Sequence, residues 1–576
     1  MVTASNTVKR QTNETLRSDM WRACDILRRD NNVGGIMQYT EHIAWLLFLK
    51  FLDEEEKERL AQASLGGEPY SAVLQGDLAW DSWASPQALK ETSADDLIRY
   101  VRGRLLPSLA SLNGSPLART IAGIFSDESL GDQSAVRNVP VCASGYNLKD
   151  VLEIINSIRF ASDGDIFTIT QFYEDLLERM GNENRSAGEF HTPRPVIRFM
   201  VDVIDPQIGE EIYDPACGSA GFLAEAFEHM VANHPNQTIE DRKFLQEHAF
   251  HGQEKKGLST LLGTMNMVLH GVAAPNILRA NTLEENVKGS VARRFDVILT
   301  NPPFGGTEGR HIQQNFTTEA NATELLFMQH IIKKLKKTPN ARCAMVVPEG
   351  TLFRGGAFAT VKKDLLEQFH LFAVVSLPPG TFAPYSDVKT ALLFFKRPDD
   401  ILRKNPTARE ETWYYELPLP AELKKFSKGS RIRDEHFAEA SALFSEWRAY
   451  LDGDRDRPFD SADSLRKRWQ AFFDGEVTKS GGKNESQTTL EQQNLDLKVD
   501  AADSRPAEPY TAWVETLHDL NQRGFDLSAR NPNQDERVKL PHPAEITASL
   551  IEHTREFQSV LLNLHQILTN GHSDDE

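Results

Sequence analysis

The stretch Phe295-Asp296-Val297-Ile298-Leu299-Thr300-Asn301-Pro302-Pro303-Phe304 decides how this chain folds. Its first six residues form the short β-branched and aliphatic run of a buried parallel strand. In doubly wound sheets, ligands sit just past the carboxyl end of such a strand. Asn301 falls there. Pro302 and Pro303 remove two backbone donors and fix φ, so the turn is stiff and its carbonyls point in a set direction. The side-chain oxygen of Asn301 and the carbonyl of Pro302 then make a rigid acceptor pair suited to both hydrogens of a planar amine, with Phe304 placed to stack on the ring that carries it. On its own the tetrapeptide also reads as an ordinary loop after a core strand. Its surroundings decide between the two.

Upstream, Glu211-Ile212-Tyr213 predicts a short strand, followed by Asp214-Pro215-Ala216-Cys217-Gly218-Ser219-Ala220-Gly221-Phe222 and an amphipathic helix from Leu223. Gly218 and Gly221 permit a tight turn and close backbone approach, and the helix N-terminus offers unpaired N–H groups to a ligand. Phe250-His251-Gly252-Gln253-Glu254 predicts a second strand ending in a carboxylate, where dinucleotide folds bind ribose hydroxyls. A helix over 258–270 and a third strand over 277–280 lead to Asn281, which reads either as a turn residue or as a neighbour of a ligand's ring. Before the glycine loop, Glu189-Phe190-His191-Thr192-Pro193-Arg194-Pro195-Val196 reads as a capped helix start, with Thr192 near the boundary and Pro195 in the first turn.

Downstream, Gly305-Gly306-Thr307-Glu308-Gly309 is expected to be flexible and able to open for a large substrate. A helix over 323–336, a fifth strand over 344–348, a loop over 350–356 and a helix to Phe369 follow. The final runs, 372–377 and 389–396, pair as an antiparallel hairpin at the sheet edge. Strands alternating with helices predict an α/β doubly wound sheet.

At 576 residues the chain exceeds one core and divides into several units. No apolar run approaches the roughly 20 residues that cross a bilayer, and the polar first 17 residues lack a secretion signal, so a cytoplasmic protein is expected. Cys24, Cys142, Cys217 and Cys343 show no metal-ligand spacing, so no metal is expected. A formal charge of −19 argues against unaided binding to a polyanion. The first segment is helical. Its run over 43–52 is apolar on most faces and reads as a core helix, and the acidic residues over 53–56 read as a solvated face. A strand over 411–416 and a helix over 436–452 are expected late in the chain. In the helix over 543–568, Leu550, Phe557, Leu561, Leu564 and Leu568 make a stripe that packs on the chain's own core or on a partner helix.

Taken together, EFHTPRPVIRFMV, DPACGSAGF, GQEKK, DVILTNPPFGG, VVPEGTLFRGG and FAPYSDVKTALLFF stand in one order between about residues 166 and 396. Over this span the chain resembles the amino-methylating, S-adenosylmethionine-dependent DNA methyltransferases, specifically the modification (M) subunits of type I restriction-modification systems. The resemblance implies a class I S-adenosylmethionine-dependent methyltransferase fold over 166–400, an N-terminal helical domain over 1–165 and a C-terminal extension over 401–576. That extension holds a polar linker at about 477–509 and a terminal helix for subunit assembly.

The resemblance further implies S-adenosyl-L-methionine as methyl donor, held by Glu189, Phe190, His191, Thr192, Pro193, Arg194, Asp214, Gly218, Ser219, Ala220 and Gly221. It places the ribose on Glu254 and the adenine edge near Asn281. Ala220 stands where the middle glycine of a GxGxxG-like loop would be. Asn301, Pro302, Pro303 and Phe304 become the catalytic residues, orienting and stacking an adenine whose N6 is methylated after the base leaves the duplex. Implied partners are double-stranded DNA, a specificity subunit that carries target recognition, a second M subunit and a restriction subunit, with no membrane. Two competing readings are a protein glutamine-N5 methyltransferase and a non-catalytic S-adenosylmethionine-binding scaffold.

Overall fold

A computed structural model describes residues 13–66, 70–126, 139–158, 172, 192–272, 275–289, 291–383, 386–398, 410–420, 423–452, 512–528 and 531. The chain forms two compact units, one of residues 1–469 with 514–529 and one of 470–513 with 530–576. The expected helix over 543–568, the polar stretch over 477–509 and Glu189, Phe190 and His191 lie outside the described residues.

Four of the N-terminal helices begin at a serine that caps them. Ser85, Ser93, Ser115 and Ser144 each accept a hydrogen bond from the N–H three residues on, a contact that typically contributes ~1 kcal/mol. The expected core helix is Ile36–Gly66, in which Ala44, Trp45, Leu46, Leu47 and Phe48 are wholly buried. Its acidic run departs from expectation. Asp53 and Glu56 are buried, and they accept N–H groups of Trp80, Val73 and Leu74. Their i, i+3 spacing turns both toward the loop that folds back over the helix.

The sheet is the expected doubly wound α/β type. Its strands are β1 (Ile212–Asp214), β2 (Phe250–Glu254), β3 (Asn276–Arg279), β4 (Val297–Thr300), β5 (Arg342–Pro348), β6 (His370–Ser376), β7 (Thr390–Lys396), β8 (Glu411–Glu416) and β9 (Ala512–Thr516). Their order is β3-β2-β1-β4-β5-β7-β6-β8-β9. The parallel order reverses direction between β1 and β4, which opens a crevice at their carboxyl ends. β6 and β7 pair antiparallel as expected, yet they are not the edge. β7 inserts between β5 and β6, and β8 continues the sheet parallel to β6. The expected loop over 350–356 begins as a short helix, Glu349–Phe353. Nor is the glycine-rich stretch after Phe304 loose. Thr323 N donates to the Gly306 carbonyl at 3.2 Å, Glu308 N donates to Asn321 O at 2.8 Å, and Thr307 bridges Ala322.

Two helices position the crevice. All thirteen residues of Gly257–Leu269 are buried. On one side, Leu258, Leu261, Leu262, Met265, Val268 and Leu269 share a single hydrophobic core with the N-terminal helices. Thr120 Oγ1 donating to Pro275 O at 3.0 Å and Arg279 donating to Ser126 O at 2.9 Å add polar ties across the same boundary.

The second helix, Arg194–Ile204, is held at its C-terminus by cations, which complement the exposed carbonyls and the helix dipole. Arg342 donates to the Ile204 and Asp205 carbonyls, each at 2.7 Å, and grips Glu210 with both terminal nitrogens. Arg448 donates to the carbonyls of Asp202 and Val203. His229 lies between Asp205 (2.9 Å) and Asp202 (3.3 Å). Burial lowers its pKa, but hydrogen bonds and charge from the two aspartates outweigh that and raise it to about 9. The imidazolium's stabilisation is therefore complete below its ordinary value of 6.5 and is lost as pH rises through about 9. The melting temperature should fall across that window, and His229→Gln should flatten the fall. A slope that survives the substitution would place the titration elsewhere.

Candidate active site

β1 and β4 end side by side, and one hydrogen bond locks their ends together. Thr300 Oγ1, wholly buried, donates to Asp214 Oδ1 at 2.7 Å. Asp214 also accepts from Ala216 N at 3.0 Å and is 1% exposed. Burial pushes its pKa up to about 7 against those two hydrogen bonds, and the nearby charge of Glu254 adds to the rise.

The glycine loop after β1 is clamped from three directions. Gly218 and Ala220 both lie in the left-handed region, at φ 51° and 58°. For alanine that conformation costs on the order of 1 kcal/mol, so Ala220 is under strain at the position where the motif would carry glycine. Gly218 N donates to Glu254 Oε2 at 3.1 Å, and Asn266 Nδ2 donates to the Ser219 carbonyl at 2.9 Å. A side chain at Gly263 would place its Cβ 2.9 Å from the Gly218 carbonyl, so the buried helix touches the loop backbone directly. Gly221 begins the next helix, Gly221–Asn233, and packs closely on Ile197.

Glu254 stands at the end of β2 as expected. Burial raises its pKa, opposed by the N–H groups of Lys256 (2.7 Å to Oε1) and Gly218. The Lys255 N–H lowers it further, so three backbone donors surround the carboxylate. Asn281 follows β3 and caps the turn Thr282–Glu284, accepting from Leu283 N at 3.3 Å and donating to Glu284 at 3.1 Å. The turn reading of Asn281 thus describes its contacts. Thr282 Oγ1 donates to Pro215 O, tying this turn to the glycine loop.

Asn301 carries the most telling geometry. Its Nδ2 donates to Thr192 Oγ1 at 3.0 Å, which sets the orientation of the amide. Its Oδ1 is buried and has no hydrogen-bond partner among the described residues. Leaving a buried acceptor unmatched costs about 1–3 kcal/mol, so the oxygen is held ready for a donor that comes from outside. Pro302 is buried and Phe304 half-buried beside it. Thr192 precedes Pro193 and Arg194 at the start of the helix whose far end Arg342 and Arg448 hold. Its hydroxyl thus meets the Asn301 amide, and the helix N-terminus, at Pro193, carries no side-chain cap.

Sequence reasoning missed Thr300, Asn266 and Gly263. The signal for Asn266 was present: it is the one amide among the apolar and hydroxyl residues of a fully buried helix, and a buried amide calls for a fixed partner.

A doubly wound sheet with a clamped glycine loop, an acid at the end of β2 and an Asn-Pro-Pro-Phe turn at the end of β4 defines an amino-group methyltransferase site. The N-6 DNA Methylase family model matches residues 163–461 and the HsdM N-terminal domain model residues 16–155. The type I restriction enzyme EcoEI methylase subunit of Escherichia coli is 38% identical over 72% of this chain and 80% of its own. A chain solved in a study of assembly and conformational transition of the type I R-M system is 51% identical, with 97% of this chain and 99% of that one covered and a TM-score of 0.69. A modification subunit from Vibrio vulnificus is 36% identical over 76% of this chain and 90% of its own, with a TM-score of 0.65. The chain belongs to the methylase subunits of type I restriction enzymes, within the N-6 DNA methylase family. Among the described residues no helix is long and apolar enough to cross a membrane.

Proposed function

We propose that this chain methylates the N6 of adenine in double-stranded DNA with S-adenosyl-L-methionine as donor, and that a separate specificity subunit selects the site. A second methylase subunit and a restriction subunit complete the assembly in this reading. The observation that carries it is the unmatched, buried Oδ1 of Asn301 at the end of β4. Adenine N6 is a poor nucleophile while its lone pair is delocalised into the ring. Accepting its two hydrogens on Asn301 Oδ1 and the Pro302 carbonyl favours the tetrahedral nitrogen of the transition state, an effect of positioning and fixed dipoles. Phe304 offers a stacking face to the base once it has left the duplex.

The donor supplies an electrophilic methyl group on a sulfonium. The residues present fit such a ligand. The loop over 214–221 allows close backbone approach, Glu254 ends β2 with a carboxylate that can accept from ribose hydroxyls, and Asp214 is a buried acid at the head of the loop. Because Asp214 holds its proton to about pH 7, affinity for the cationic donor should rise as pH increases through that value. Calorimetry on wild type and Asp214→Asn tests this, and a profile that keeps its slope in the variant removes Asp214 as the titrating group.

The net charge of −19 supports a partner that supplies much of the grip on DNA. The deciding experiment is transfer of labelled methyl to DNA by this chain alone and by its complex with the cognate specificity subunit, followed by identification of the modified base. N6-methyladenine formed only by the complex is expected. Label on protein glutamine, or on no substrate, would reject the reading.

A further inference from the structure

Phe353 ends the short helix after β5 and is 54% exposed. Single exposed apolar side chains are common on proteins and need no account. What sets this one apart is how its backbone is held. The carbonyls on either side, those of Leu352 and Arg354, both accept from Nζ of Lys362, a lysine only 1% exposed. Leu527 N, from the segment that returns late in the chain, donates to the same Leu352 carbonyl at 3.0 Å. Burying an ammonium is costly unless it is fully matched. Here that cost goes into fixing the main chain around an aromatic ring that faces solvent.

The segment that carries it follows β5, next to β4 in the sheet, past the level where β4 ends. β4 and β5 are in register at Thr300 and Met345, so β5 runs past the level of the catalytic turn before the short helix begins. Gly306, two residues beyond Phe304, accepts from Thr323 N, and the adjoining Glu324 lies 3.7 Å from Arg354. Arg354 is itself half exposed and sits over the ring of Phe358 at 5.4 Å. The backbone that carries this exposed aromatic is thus tied, through Arg354, Glu324 and Thr323, to the chain that follows the Asn-Pro-Pro-Phe turn.

Apolar side chains presented in this way enter DNA between base steps and relieve the cost of unstacking. We propose that Phe353 enters the duplex at the step the target adenine vacates and so holds the base outside. This rests on the reading that the adenine leaves the stack.

The test uses the complex with its cognate specificity subunit and two duplexes. In one the target adenine is paired, and in the other it faces an abasic site and is already unpaired. Phe353→Ala should slow single-turnover methylation of the paired duplex by about tenfold or more, should stay near wild type on the abasic-opposed duplex, and should leave donor affinity unchanged. Phe353→Leu, which keeps an apolar wedge, should recover most of the loss. An equal loss on both duplexes, or none on either, overturns the proposal. Failure of the underlying reading would show separately, as wild-type complex that gives no fluorescence rise with 2-aminopurine at the target position.

Discussion

Asn301→Ala is expected to lower the single-turnover rate of methyl transfer by about a hundred- to a thousandfold, on the order of 3–4 kcal/mol, the scale seen when one preorganised dipole is removed from a reacting centre. Donor binding and subunit assembly should stay near wild type, because Asn301 makes one side-chain hydrogen bond, to Thr192, and its oxygen makes none within the described chain. Thr192→Val isolates the orienting role. It keeps the acceptor but frees the amide to rotate, so a loss of about tenfold is expected, in line with one hydrogen bond. If Asn301→Ala transfers methyl at the wild-type rate, the unmatched oxygen is not the acceptor. If the variant loses assembly instead, the turn is structural.

Glu254→Ala is expected to weaken donor binding by about thirtyfold, roughly 2 kcal/mol, since it removes the proposed ribose contacts together with the brace on Gly218 N. Glu254→Gln is the sharper probe. It preserves shape, but one of its two positions now bears an NH2 group facing the N–H of either Gly218 or Lys256. Donor meets donor, so the isostere should lose nearly as much affinity as alanine. Calorimetry that finds the Gln variant at wild-type affinity would leave Glu254 with no part in the donor site.

Features that depend on a few consecutive residues were legible in the sequence. A proline pair after an aliphatic run, and glycines between a strand and a helix, impose their geometry locally, so β1, β2 and β4 and their loops fell where expected. What depended on residues far apart was not legible. Thr192 and Asn301 are joined across 109 positions, and a threonine ahead of Pro193 and Pro195 reads as a capping residue until the fold brings β4 to it. Asp53 and Glu56 looked solvated because their partners lie on a loop whose return over the helix no periodicity announces. The β6–β7 pair was placed at the edge because β8 follows a long intervening stretch, and only the completed sheet shows where it adds.

The helix Gly257–Leu269 has no face of its own to give to water. One side completes the hydrophobic interior of the N-terminal helices, and another supports the loop over 214–221. The N-terminal helices and the loop over 214–221 are therefore expected to melt in a single calorimetric transition, and two separate transitions would show that this helix does not couple them. A substitution that weakens Leu46 or Leu261 should then loosen the backbone at Gly218, and a truncated chain beginning at the sheet would lose the packing behind that loop.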